Sequence, residues 1–187
     1  MERSSRWLHT IRTDDLNNNI MEITSVTSFL DYYERLRERT LRVIDVVPAD
    51  RMDWAYMPGK FTIADTIRHI AAMERNMFAE NVMLRPSRYA GSGKDIADGC
   101  DAVLAYFHEM HRQSVEIFTM LTPADLLRKC PNPGGEITTW IWLRAMTEHE
   151  IHHRGALYLY LNLLGVKTPP MFGLTSEEVR QSSQERK

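Results

Sequence analysis

Cysteine is nearly missing from the 187 residues: Cys100 and Cys130 stand alone, without a C-x-x-C partner. That excludes a disulfide-stapled scaffold. No apolar run approaches the roughly 18–20 residues that span a bilayer, so no membrane partner is expected. No basic n-region with an apolar h-region opens the chain, and a cytoplasmic location is the expectation. Neither charge dominates: 23 Lys plus Arg face 25 Asp plus Glu, a formal net charge of −2. No global field draws such a chain to a phosphate backbone, and nucleic acid is not an expected partner. Period-2 alternation of useful length, internal repeats and low-complexity tracts are also missing.

What is present is an ordinary core-forming composition, 43% apolar and 26% charged, in a length suited to one hydrophobic core. Residues 1–22, with Asp14-Asp15 and three consecutive asparagines, break helical periodicity and read as an extension in which Trp7 and Leu8 could dock on the body or on a partner subunit. From Thr24 to Val47 apolar residues recur at three- and four-residue steps, and Pro48 ends the run. Thr62-Ile63-Ala64-Asp65 resembles a capping box and starts a second helix running to about Leu84, before Pro86. Val103, Phe107, Met110, Ser114, Ile117 and Leu121 mark a third helix, stopped near Thr122-Pro123, with a single turn expected over Ala124 to Leu127. Pro131, Pro133, Gly134 and Gly135 punctuate a loop. The longest pattern runs from about Ile137 to Leu164 and ends at Gly165. The expected fold is all-α, a four-helix bundle over residues 23–174. A polar tail at 175–187 begins with a short helical turn and then frays.

Three of the seven histidines fall in one short stretch of the fourth helix, His149-Glu150-Ile151-His152-His153. At about 100° per residue, His149 and His153 lie about 40° apart and one turn displaced, so two imidazoles can converge on one cation. Trp142, Ala145, Met146, Ala156 and Tyr160 share that face, which should look into the bundle. A zinc-type catalytic centre takes three protein ligands and keeps one position open. Candidates for the third are His9, His69, His108 and His111, besides Asp and Glu side chains. His69, mid-helix, is best placed, with Asp65 one turn before it either capping the helix or accepting its other ring N–H. His108 projects away from its helix's apolar face, and His111 borders it. The string also satisfies H-E-x-x-H, the zinc peptidase motif, but no histidine follows His153 and no strand pattern precedes it, which argues against proteolysis. Gly155 beside the cluster fits either a close helix approach or ordinary tolerance.

The run His149 to Gly155, then Tyr158 to Gly165 and Pro169, resembles the terminal signature of the DinB/YfiT-like metal-binding proteins. Trp54, Pro58-Gly59-Lys60-Phe61, Thr62-Ile63 and His69 resemble that family's entry to its second helix. The likeness covers about residues 24–172. It implies a four-helix bundle of unusual helix order, a metal triad of His69, His149 and His153 holding zinc or nickel, and a homodimer. Ala156 stands where relatives often carry Gln, so that amide's role would be missing here.

These readings lead to a metal-dependent enzyme acting on a small molecule, with two chemistries open. A low-molecular-weight thiol, ionised by the metal, could serve as cosubstrate for S-transfer or isomerisation. Alternatively the metal could activate water for hydrolysis. Glu148 and Glu150 each project about 100° from His149, awkward for a base, which tilts the expectation towards the thiol reaction. The competing reading is a non-catalytic metal-binding or dimeric interaction bundle.

Overall fold

The structure, a computed structural model, describes residues 23–185; the expected extension over 1–22, with Trp7, Leu8 and His9, lies outside the described residues. Helix α1, Val26–Ile44, starts at Ser25, whose hydroxyl accepts a hydrogen bond from the Ser28 N–H at 3.3 Å. Helix α2, Ile63–Met73, opens on the expected capping box: the Thr62 hydroxyl accepts from the Asp65 N–H and the Asp65 carboxylate from the Thr62 N–H, each at 3.0 Å. The chain then continues through a π-helical turn, Glu74–Phe78, into α3, Ala79–Val82. Helix α4, Cys100–Thr119, follows, and α5, Pro123–Leu127, is a short helix with its own capping box at Thr122 and Asp125. The longest helix is α6, Thr139–Leu163.

Two expectations need correction. The segment read as a loop is a two-stranded hairpin, β1 Lys129–Asn132 and β2 Gly135–Thr138, antiparallel with Asn132 opposite Gly135. Its two-residue turn is Pro133-Gly134, closed by the Gly134 N–H donating to Asn132 Oδ1 at 2.7 Å. Strands of four residues, one holding a proline, show no usable alternation, and Pro131 is tolerated because a two-stranded ribbon has only edges. The tail also does not fray after one turn: α7 spans Ser176–Glu185, with no buried residue and Thr175 accepting from the Glu178 N–H at 3.2 Å.

Helix α1 packs on α6 and α4, and α2 packs on α4 and α6. The core divides in two. One half gathers Phe29, Tyr33, Leu36, Phe78, Phe118, Leu143 and Met146; the other gathers Val43, Ile63, Ile67, Ile70, Val103, Phe107, Leu157 and Leu161. On each helix the residues between the halves are polar: Arg37 on α1, Glu74 at the π turn, His111 on α4, and Glu150 and Arg154 on α6. Arg37, 1% exposed, is the centre of this layer. Its Nη2 pairs with Glu74, lies 3.0 Å from Glu150 Oε2, and donates to the Tyr33 hydroxyl at 2.7 Å. The guanidinium carbon sits 4.4 Å from the centre of the Phe107 ring, a cation–π contact. His111 Nδ1 meets Glu74 Oε1 at 2.9 Å and completes a crossing of all four helices.

Burial alone would lower the Arg37 pKa, but Glu150 and Glu74 more than reverse this and hold it well above its ordinary value. Burial likewise opposes ionisation of Glu74, and Arg37 with His111 keeps its carboxyl below the usual range. Removing Glu74 leaves the buried Arg37 charge with Glu150 alone and takes away the carboxylate that His111 meets. Glu74→Ala is therefore expected to cost about 3–5 kcal/mol of unfolding free energy, measured by urea titration; a loss under about 1 kcal/mol would show that Arg37 does not depend on the pair.

Candidate metal centre

The capping box sets the start of α2, and seven residues on from Thr62 it presents His69 at a half-buried position beside the Ile63, Ile67 and Ile70 stripe. Helix α6 turns its buried stripe, Leu143, Met146, Thr147, Glu150, Arg154, Leu157 and Leu161, into the bundle. His149 and His153 therefore stand on its flank, half-buried, with Trp142, Ala145 and Ala156. This corrects the expected inward face: the interior direction of α6 is claimed by Glu150 and Arg154, which periodicity alone would place outside. The two flanks meet. His69 Nε2 and His149 Nε2 are 3.1 Å apart, and the centres of the His69 and His153 rings are 4.6 Å apart. One nitrogen from each of His69, His149 and His153 can be chosen so that all three lie within 4.8 Å of one another.

The other nitrogen of His69, Nδ1, lies 2.8 Å from the Tyr89 hydroxyl. Tyr89 reaches it because Arg68, buried on the next position of α2, ties down the following linker, donating to Ser92 O at 2.7 Å and Ala97 O at 2.8 Å. The Arg88 N–H adds a bond to Asn76 O at 2.7 Å. Asp65 takes the cap role and pairs with Arg68, so the partner of His69 is Tyr89, a loop residue with no spacing to announce it. Phe61 stands edge-on to His69 at 5.3 Å, and Phe78 lies 5.8 Å from His149 and 4.5 Å from Trp142. These rings wall the site.

Glu150, middle of the His-Glu-x-x-His string, points away from the triad to Arg37. Glu148 is exposed and pairs with Arg144 at 3.3 Å. His111 is engaged by Glu74, His108 is exposed, and His152 is exposed beside His153 at 5.0 Å. Burial lowers the pKa of all three clustered rings. His149 falls to about 3, by burial first and then by the neighbouring His153 and His69; His153 falls to about 4, by burial and then His69.

The donor set fits a divalent metal ion. Neutral imidazoles are the ligating form, and two nitrogens each 2.0–2.1 Å from a tetrahedral zinc would be about 3.3 Å apart. The 3.1 Å His69–His149 separation is close to that, and His153 offers a nitrogen within 4.8 Å of both.

A sequence model described as the DinB superfamily matches residues 32–157. No curated protein matches the chain. Among solved structures, a DinB-like protein from Bacillus cereus superposes with a TM-score of 0.67 at 18% identity, covering 79% of this chain and 97% of that one. A DinB-like protein, YjoA, from Bacillus subtilis gives 0.62 at 18% identity, over 77% and 96%. A four-helix bundle protein, TT2238, gives 0.57 at 22% identity, over 72% and 99%. At such identities these structures speak for the fold. Among the described residues no helix is long and apolar enough to cross a membrane.

The lowered histidine values give a pH dependence with a definite sign. As pH falls below about 6.5, the unfolded chain takes up protons that folded His149 and His153 refuse until about 3 and 4, so folding stability falls with pH through that window. Glu74, depressed when folded, acts in the same direction at lower pH: it stabilises above its unfolded value of 4.5 and is lost as pH drops through its folded value. The melting temperature of chelator-treated protein should fall between pH 7 and pH 5, and a His149→Ala/His153→Ala variant should show a shallower fall. Equal slopes for the two proteins would refute the assignment.

Proposed function

The chain belongs to the DinB superfamily, and from that premise we propose that it is a metal-dependent enzyme in which His69, His149 and His153 hold one divalent cation and leave a position for a small molecule. The supporting observation is the convergence of three neutral imidazoles from two helices with, among the described residues, no carboxylate in the group. Three histidines plus an open position is the pattern of catalytic rather than structural zinc sites. Zinc or nickel bound there would lower the pKa of whatever fills that position, a thiol or water.

The chain's own residues favour the thiol. Hydrolysis calls for a base within hydrogen-bond reach, and the nearest sequence candidates are spent elsewhere: Glu150 on Arg37 and Glu148 on Arg144. A thiol ionised by coordination needs no such base. The proposed reaction is therefore S-transfer to, or isomerisation of, a small electrophile, with a low-molecular-weight thiol as cosubstrate. The reading includes a homodimer in the cytoplasm. Tyr89 acts as a positioning residue: its hydroxyl accepts from His69 Nδ1–H, which leaves the Nε2 lone pair facing His149 and the cation.

Protein purified without chelator should carry about one divalent ion per chain by elemental analysis, and His149→Ala should lose it while keeping its helical circular dichroism. Stoichiometric metal retained by His149→Ala would defeat the triad. Tyr89→Phe should weaken metal binding about 10–100-fold in a chelator competition titration. With the metal in place, a screen pairing thiols with electrophiles should give turnover; hydrolysis without any thiol would select the water chemistry instead.

A further inference from the structure

On the other side of α6 from the triad, α1 carries Arg35, Arg39 and Arg42 at four- and three-residue steps, which sets them along one side of the helix. With Glu38, Met171, Phe172 and Gly173 they line a groove of about 330 Å³. Among the described residues none of the three arginines has a carboxylate partner. Arg35 Nε donates to Asp31 O at 3.0 Å, Arg42 Nη2 to Met171 O at 3.4 Å, and the Arg39 guanidinium carbon lies 5.5 Å from the Phe172 ring centre. Behind them lies Arg154, 8% exposed, its Nη1 donating to Leu36 O at 3.3 Å. Three guanidiniums thus line the groove with one carboxylate, Glu38, in a chain whose net charge is −2.

Like charges gathered without partners repel and add nothing to folding, and Phe172, 83% exposed, adds nothing to the core. Together they make a recognisable surface. Guanidiniums bind carboxylate and phosphate groups by paired, charge-assisted hydrogen bonds, and an open aromatic ring already stacked under one of them offers a face to a second flat ring. The volume is within the usual range for small-molecule sites.

We propose that this groove binds a small aromatic anion, its acidic group among Arg35, Arg39 and Arg42 and its ring on Phe172. The site is separate from the triad: Arg154 turns towards α1 where its neighbour His153 turns towards α2.

The test is calorimetric titration of the full chain carrying His149→Ala, which removes anion binding at the triad, at low ionic strength with phenyl phosphate, benzoate and inorganic phosphate. At least one aromatic anion should bind saturably at one site per chain, and the tighter of the two identifies the acidic group. Inorganic phosphate should bind at least about tenfold more weakly than phenyl phosphate if that is the preferred ligand. Arg39→Ala should weaken the aromatic anion about tenfold or more, while Phe172→Ala, a change at an exposed residue, should bring phenyl phosphate down to the level of inorganic phosphate. Saturable binding by neither aromatic anion, or binding that both substitutions leave unchanged, overturns the proposal. Either result leaves the triad reading untouched.

Discussion

The buried cation of Arg37 sets the geometry of this bundle. Arg37 stands where the two apolar halves of the core meet, and its charge is answered by Glu74 from one helix and Glu150 from another. Apolar contacts on either side are non-directional, and a helix such as α6 could turn within them at modest cost. The charges cannot: a buried carboxylate turned away from its guanidinium is left in a medium that solvates it poorly. Only one rotation of α6 puts Glu150 on Arg37. The flank that carries His149 and His153 then has to face α2.

Helix α2 is subject to the same constraint. It carries His69 outward and, through the π turn, Glu74 inward, so both polar centres clamp the same two helices from opposite sides. The π turn starts at Glu74 and shifts the phase of α3 relative to α2; such turns often lie near functional positions. The ionic layer ties α2 to α6 by itself, and a cation held by the triad, as proposed, would tie them a second time. Burial of the rings keeps them neutral and ready as ligands, at the expense of stability in acid.

The arrangement also separates tasks that the sequence string joins. In His149-Glu150-x-x-His153 the glutamate is a general base only if it shares the cavity of the histidines, as in zinc peptidases. Here it faces the opposite way and is structural. Arg154 follows Glu150 inward and donates to Leu36 O of α1, so fewer than two turns of one helix, from His149 to Arg154, carry both the histidine cluster and the core ion layer.

The sequence by itself determined the helical bundle and the histidine repeat on its longest helix. Three- and four-residue spacing, the Thr62–Asp65 cap and the His149/His153 repeat are local properties, written within one or two helical turns. His69 was legible as a mid-helix histidine, but only packing shows that its flank meets that of α6. The tertiary structure decided what lies inward: a rule that sends charge to the surface places Glu150 and Arg154 outside, because their buried partners, Arg37 and Leu36 O, are more than a hundred residues away. It also decided the partner of His69, since Tyr89 arrives on a linker tethered by Arg68, and no periodicity records where a loop is tied. The hairpin at 129–138 stayed hidden because two strands of four residues carry too little pattern to be told from a turn. Short-range order is encoded by neighbours along the chain; the direction of a buried charge is encoded by a partner that only folding brings near.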